Sequence, residues 1–189
     1  MSNTTITIND RIPIPAGDHP MGLRVVVIYG VCPTIFGGNG VDSNLPRATF
    51  QWVVQLPDGG LGSMCHLVTL DSTPRSLVRN LAAALLNDAT LRDAGDCPNA
   101  GILLGRSCVA TVRRQSCGGR DRPVLVSAKP LPAGVAPLDV PEMTLWTPRD
   151  EPTLLPASFP QRYRDYANVA ARRHYEQQQK RKGTNDECQ

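Results

Sequence analysis

The chain lacks the motifs that mark metal centres, membrane spans and covalent catalysis. None of its six cysteines forms a CxxC pair, and no histidine lies at zinc-finger spacing, which argues against a structural zinc site. No apolar run approaches the roughly 20 residues that a membrane span needs. A serine elbow, a phosphate loop and a dinucleotide fingerprint are also missing. These absences predict a binding protein, not an enzyme, with no cofactor and no metal.

Aromatic residues are scarce, at 5% of the sequence, so few rings are available to stack on a ligand. The start of the chain is polar and has no apolar signal core, which predicts a cytoplasmic protein with reduced cysteines. Net charge is only +3, but it is unevenly distributed. Residues 1–72 hold three basic and five acidic groups, whereas residues 73–189 hold seventeen and twelve. This asymmetry favours an anionic partner.

Apolar stretches separated by glycine and proline predict short strands. Strands are expected at residues 23–32, 47–56, 64–70, 106–114 and 124–129, with Gly30 marking a bulge or bend. In the second of these, alternation places Phe50, Trp52 and Val54 on a buried face and Arg47 and Gln51 on the other face. The second and third strands should form a hairpin around residues 57–60.

One helix is predicted between the third and fourth strands. Ser72-Thr73-Pro74 resembles a helix start, and Leu77, Leu81 and Leu85 repeat at helical spacing up to about Asp88. A short helical turn is expected around Leu91.

The whole chain divides by composition into four parts. We expect an N-terminal arm at residues 1–20, an OB-fold domain at 21–132, a proline-rich extended segment at 133–160, and a C-terminal helix and tail at 161–189. The eight prolines from 130 to 160 should exclude a helix or central strand there. Leu145, Trp146, Leu154 and Leu155 are the candidate anchors of this segment.

The order of elements is strand, strand, strand, helix, strand, strand. It predicts a mainly β fold, a five-stranded OB-type Greek-key barrel with the helix between strands 3 and 4. An open sheet with the helix on one face is the alternative.

The hairpin of the last two strands concentrates basic residues. Attraction to phosphates with counterion release would give such a hairpin affinity for nucleic acid. The facing wall of the groove would be the loop at residues 33–46. The predicted nucleic-acid contacts are Tyr29, Phe36, Arg47, Gln51, Arg106, Arg113, Arg114, Arg120, Arg122 and Lys129. Tyr29 and Phe36 would serve as stacking platforms, while solubilisation of the hairpin is the alternative role for the arginines.

The last helix combines arginines with tyrosines, among them Arg162, Tyr163 and Tyr166. It either docks its tyrosines on the barrel or supplies a second contact to DNA or to a partner protein.

Several phrases occur in an order that resembles phage-encoded single-stranded-DNA-binding-like OB-fold proteins. They are "RATFQWVVQLP", "LVTLDSTPRSLVRNLAAAL", "LLGRSCVATVRRQ" and "SAKPLPAGVAP", within roughly residues 14–175. The resemblance implies single-strand protection during phage DNA replication or recombination, with little sequence preference, in the host cytoplasm. The acidic tip of bacterial single-strand binders is not matched, since Lys180, Arg181 and Lys182 precede only Asp186 and Glu187.

Two classes of function therefore remain open. The first is a single-stranded-DNA-binding protein, with phage or host replication proteins as further partners and with self-association undecided. The second is a phage structural or protein–protein interaction module on the same barrel, since fold does not fix function.

Overall fold

The computed structural model describes residues 12–32, 45–93, 98–117 and 120–186. Six strands are found: β1 (Gly17–Gly30), β2 (Arg47–Gln55), β3 (Leu61–Thr69), β4 (Ser107–Cys117), β5 (Arg120–Pro130) and β6 (Thr144–Trp146). The helices are α1 (Leu77–Leu86) and α2 (Gln161–Asp186), with 3-10 turns at Ala89–Arg92, Ala100–Leu103 and Pro152–Leu154. All five expected strands are present, and α1 lies between β3 and β4 as expected.

The strands form one mainly antiparallel sheet in the order β3-β2-β1-β4-β5, with β6 pairing parallel to β1. No ladder between β3 and β5 appears in the described residues, so the sheet is open and a closed barrel is not confirmed. The successive antiparallel pairings make β3 and β5 run in the same direction. These two edge strands approach each other, and α1 contacts both of them.

β1 bends because an extra residue interrupts its register. Leu23 pairs with Trp52 and Val25 with Gln51, which leaves Arg24 in a bulge. The bulge reverses the alternation of faces. Leu23 therefore faces one core, whereas Val25 faces the other. A second irregularity precedes Gly30, whose φ is +70°, as the sequence predicted.

Two apolar cores lie on opposite faces of the sheet. The inner core joins the sheet to α1 and includes Phe50, Trp52, Leu81, Leu125 and Cys108. The outer core joins the sheet to α2 and includes Val25, Tyr29, Trp146, Phe159 and Ala167. The prediction of a single buried face for β2 is wrong, because α2 and the segment before it cover the second face.

The predicted start of α1 is also wrong. Helix α1 begins at Leu77, because Arg75 has a φ of +61° and stops the helix from extending toward Pro74. Asp71 instead closes a turn, accepting hydrogen bonds from the Thr73 backbone N–H at 2.8 Å and the Thr73 hydroxyl at 2.7 Å.

The proline-rich segment is more ordered than its composition predicted, since it contributes β6 to the sheet. The side chains of Trp146 and Leu155 are buried, as expected, but Leu145 and Leu154 are 40% and 64% exposed and do not anchor it. The buried Arg24 holds this segment by donating from Nε to the Pro141 carbonyl at 3.2 Å and by pairing with Glu142. Within the described ranges, neither helix has the length and apolarity needed to cross a membrane.

Candidate nucleic-acid interface

A cleft of about 590 Å³ opens between the edges of β3 and β5. One wall is residues 63–67 of β3, and the other is residues 121–124 of β5. Residues 12–14 and the segment leading into α2 complete the lining. This volume is within the range typical of ligand sites.

Three arginines from different elements line this cleft: Arg114 from β4, Arg122 from β5 and Arg162 from α2. Arg114 donates to the carbonyls of Ile14 and Asp121, both at 3.3 Å. In the part of the chain that is described, no carboxylate forms an ion pair with Arg114 or Arg122. Asp121 supplies the single carboxylate among the described lining residues, so positive charge predominates.

Tyr163 places an aromatic ring in the same cleft. The Arg162 guanidinium carbon lies 5.9 Å from the centre of this ring and 5.6 Å from that of Tyr166, and Arg162 Nε donates to the Tyr166 hydroxyl at 2.9 Å. Burial raises the pKa of Tyr163, and the cations Arg162 and Arg122 act against that shift. Charge from β5 and from α2 therefore acts on the same ring.

His66 and Gln51 add polar groups to the lining. Burial lowers the pKa of His66, so the imidazole is neutral at pH 7. Gln51 is 1% exposed and donates from Nε2 to the Ser63 hydroxyl at 3.2 Å. The cleft thus presents arginine cations, one tyrosine ring and a buried amide, and these groups can bind a ligand that carries negative charge and a planar ring.

Three of the predicted contact residues meet in this cleft: Gln51, Arg114 and Arg122. Arg113 lies next to Arg114 and is exposed. The β4–β5 register pairs Arg113 with Val124 and Gln115 with Arg122, so Arg113 and Arg122 share a face of the hairpin. Arg114 pairs with Pro123 and lies on the other face, so basic residues occupy both faces of the hairpin.

The other predicted contacts do not join the cleft. Tyr29 is 2% exposed and donates to the Thr49 hydroxyl at 2.9 Å, so its ring is part of the outer core and is not a stacking platform. Arg47 is buried and donates to Thr69. Lys129 is exposed but pairs with Asp18 at 2.6 Å.

Arg106 is exposed just before β4, seven residues or roughly 23 Å along the strand from Arg113. The backbone of Arg120 belongs to β5, although its side chain lies outside the described part. Phe36 and most of the loop at residues 33–46 also lie outside the described residues, so the facing wall that the sequence predicted is not located.

No model of a known protein family matches the chain, and no curated protein is significantly similar to it. The resemblance to phage single-strand binders therefore stays a prediction, and the geometry of the cleft carries the functional argument.

Arg162 and Tyr163, whose roles the sequence left open, both line the cleft. Their spacing from Tyr166 puts an arginine and two tyrosines on one turn of a helix, which is the signal that the sequence offered. Nothing in the sequence indicated that this turn would lie opposite the β4–β5 hairpin. In the described residues, no three His, Cys, Asp or Glu side chains converge as a metal site would require.

Proposed function

We propose that this protein binds single-stranded DNA in the cleft between β3 and β5, without catalysing a reaction. The observation that carries the proposal is that Arg114, Arg122 and Arg162 line one cleft together with the ring of Tyr163. Guanidinium groups neutralise phosphates, and an aromatic ring stacks on bases of any sequence. The role would be strand protection in phage replication or recombination.

We also propose that the open sheet is a partly open barrel of the OB type. Five strands with a helix between the third and fourth support this assignment, as does the approach of β3 to β5. In such barrels the ligand lies across strands 2 and 3 and against the loop between strands 4 and 5. The cleft includes Gln51 of β2, residues 63–67 of β3 and the arginines near the β4–β5 turn.

The proposal is tested by fluorescence anisotropy with labelled oligo-dT, duplex DNA and RNA at low and high salt. We expect binding of single strands at low salt, weakened about tenfold by Arg122→Gln, because a hydrogen-bonded phosphate contact is lost. Arg106→Gln removes an equally exposed charge outside the cleft and should leave the affinity unchanged. Equal losses in the two variants, or no preference for single strands, would contradict the proposal.

A protein-interaction role is the second candidate, and an exposed apolar surface favours it. Ile102, Met143 and Leu145 are 52%, 56% and 40% exposed. Leu145 packs over Gly101 and Met143 over Gly105, so both side chains lie against the chain segment that carries Ile102. Copurification of capsid, tail or replication proteins that is lost in Met143→Asp would support this role. Leu154→Asp, at an exposed leucine in another turn, is the control.

A further inference from the structure

Two polar atoms in the cleft have no hydrogen-bond partner among the described residues. They are Oε1 of Gln51 and Oγ of Ser158, both of which are buried. Both residues line the cleft, Gln51 from β2 and Ser158 from the segment before α2. Gln51 Nε2 donates to the Ser63 hydroxyl at 3.2 Å, and Oε1 at the other end of the amide has no partner.

Buried polar atoms without partners are uncommon, because each one loses its hydrogen bonds to water and gains nothing in return. The rest of the Gln51 side chain is well packed, being 1% exposed, so the amide cannot turn toward solvent. An acceptor held in this way, on a side chain that lines a cleft large enough for a ligand, can be paired by an N–H donor that reaches it from the cleft.

We propose that the cleft holds one nucleobase whose exocyclic amine donates to Gln51, with Ser158 contributing a second polar contact. This inference rests on the proposed function and adds base selectivity to it. Cytosine and adenine carry an amine at the position where thymine, uracil and guanine carry a carbonyl. A carbonyl there would face the Gln51 oxygen acceptor to acceptor, so amino bases are favoured over keto bases.

The arginines and Gln51 then have separate tasks. Arg114 and Arg122 hold phosphates and are insensitive to the base, as is typical of backbone contacts. Gln51 contributes little to overall affinity but discriminates at one position. The Tyr163 ring is on the same side of the cleft as Ser158, where it can stack on the face of the base.

Oligo-dC and oligo-dU of equal length are the sharpest probes, because the two pyrimidines differ at position 4 by an amine against a carbonyl. At pH 7.5 we expect anisotropy titrations to show that the protein binds oligo-dC about fivefold to tenfold more tightly than oligo-dU. This ratio corresponds to the free energy of roughly one hydrogen bond. Gln51→Met keeps the size of the side chain and removes its acceptor, and it should bring the ratio close to one. Ser158→Ala should lower the ratio in the same direction.

The outcomes separate the two proposals. No binding of either strand at low salt overturns the proposed function and this inference together. Binding of both strands with equal affinity by the wild-type protein overturns the inference alone. A wild-type preference that survives in Gln51→Met also overturns it. Unfolding midpoints show whether each variant is folded, and Ser158→Ala, at a half-buried position, decides the matter if Gln51→Met does not fold.

Discussion

Arginine residues have two kinds of role in this chain, since some are buried or half-buried and bind backbone carbonyls, whereas the three that line the cleft are exposed. Arg79 is 1% exposed and donates to the carbonyls of Ser72 at 2.7 Å and Leu91 at 3.1 Å, joining the ends of the loops around α1. Arg24 and Arg164 bind carbonyls of the proline-rich segment in the same way. A sequence count treats these as surface charge, although they satisfy buried backbone acceptors. The basic surface is therefore smaller than the composition suggested.

At the same scale, His66 makes the stability of the protein depend on pH. Burial lowers its pKa from 6.5, so the unfolded chain binds this proton more tightly than the folded protein does. Stability from this group is complete above pH 6.5 and declines as the pH falls through the window below it. Urea unfolding at pH 7.5 and pH 5.0 should show a smaller decline for His66→Gln than for the wild-type protein. Equal declines would contradict the assignment.

Among the elements, the proline-rich segment is extended, as predicted, and adds one short strand that the sequence did not indicate. Proline density predicted an extended surface segment without a helix or central strand, and within it Thr144–Trp146 forms a short strand that pairs with β1. β4 pairs with Gly17–Gly22 of β1, and β6 pairs with the next part of the same edge, beyond the bulge at Arg24. None of the eight prolines falls within β6, so its backbone donors remain available. The edge left by β4 is the reason that this short strand forms.

Adjacent leucines in this segment provide a matched stability test. Leu155 is 4% exposed and belongs to the outer core, whereas Leu154 is 64% exposed. Leu155→Ala should lower the free energy of unfolding by about 2–5 kcal/mol, because it removes buried methyl groups and leaves a cavity. Leu154→Ala should change it by less than about 0.5 kcal/mol. Urea denaturation of both variants measures the difference, and equal effects would show that the segment does not anchor through Leu155.

At the scale of the whole molecule, two cores on one bent sheet leave an open junction between the edge strands β3 and β5. Helix α1 packs on the inner core and α2 on the outer core, and the cleft lies where β3, β5 and the start of α2 meet. The cleft is lined by residues 12–14, by the β2–β3 hairpin, by the β4–β5 hairpin and by the segment around the start of α2, so charges from distant parts of the chain act on the same ligand. The affinity of the cleft for polyanions belongs to this arrangement and not to any one element.

The salt dependence of DNA binding reports how many of the cleft arginines contact phosphates. Each phosphate neutralised on a single strand contributes about −0.7 to the slope of log K against log salt concentration, so three arginines predict a slope near −2. Arg122→Gln should reduce the slope by about 0.7. Lys129→Gln, at a lysine already paired with Asp18, should leave the slope unchanged. A slope near zero for the wild-type protein would exclude phosphate contacts as the source of affinity.

Strand and helix positions were predictable where local pattern decides them. The alternation of Ala48, Phe50, Trp52 and Val54 identified the face of β2 that forms the inner core, and all four are buried there. Boundaries were less predictable, because β1 starts at Gly17 through pairing with β4 and α1 starts late through the positive φ of Arg75. Of the candidate site, Gln51, Arg114 and Arg122 were predicted, whereas Tyr29 was assigned to the surface because its cover, α2, is 132 residues away.

The sequence by itself determined the order of the elements, the inner face of the sheet and the basic hairpin, since each depends on residues close together in the chain. The tertiary structure decided which of the charges act together. It buried Arg47 and Arg79, paired Lys129 with Asp18, and brought Arg162 and Tyr163 to the same cleft as Arg122. The physical reason is that burial and proximity depend on packing between segments that are distant in the chain. In β1, the extra residue at the Arg24 bulge reverses the alternation of side chains between the two faces of the sheet, and so decides which core each side chain enters.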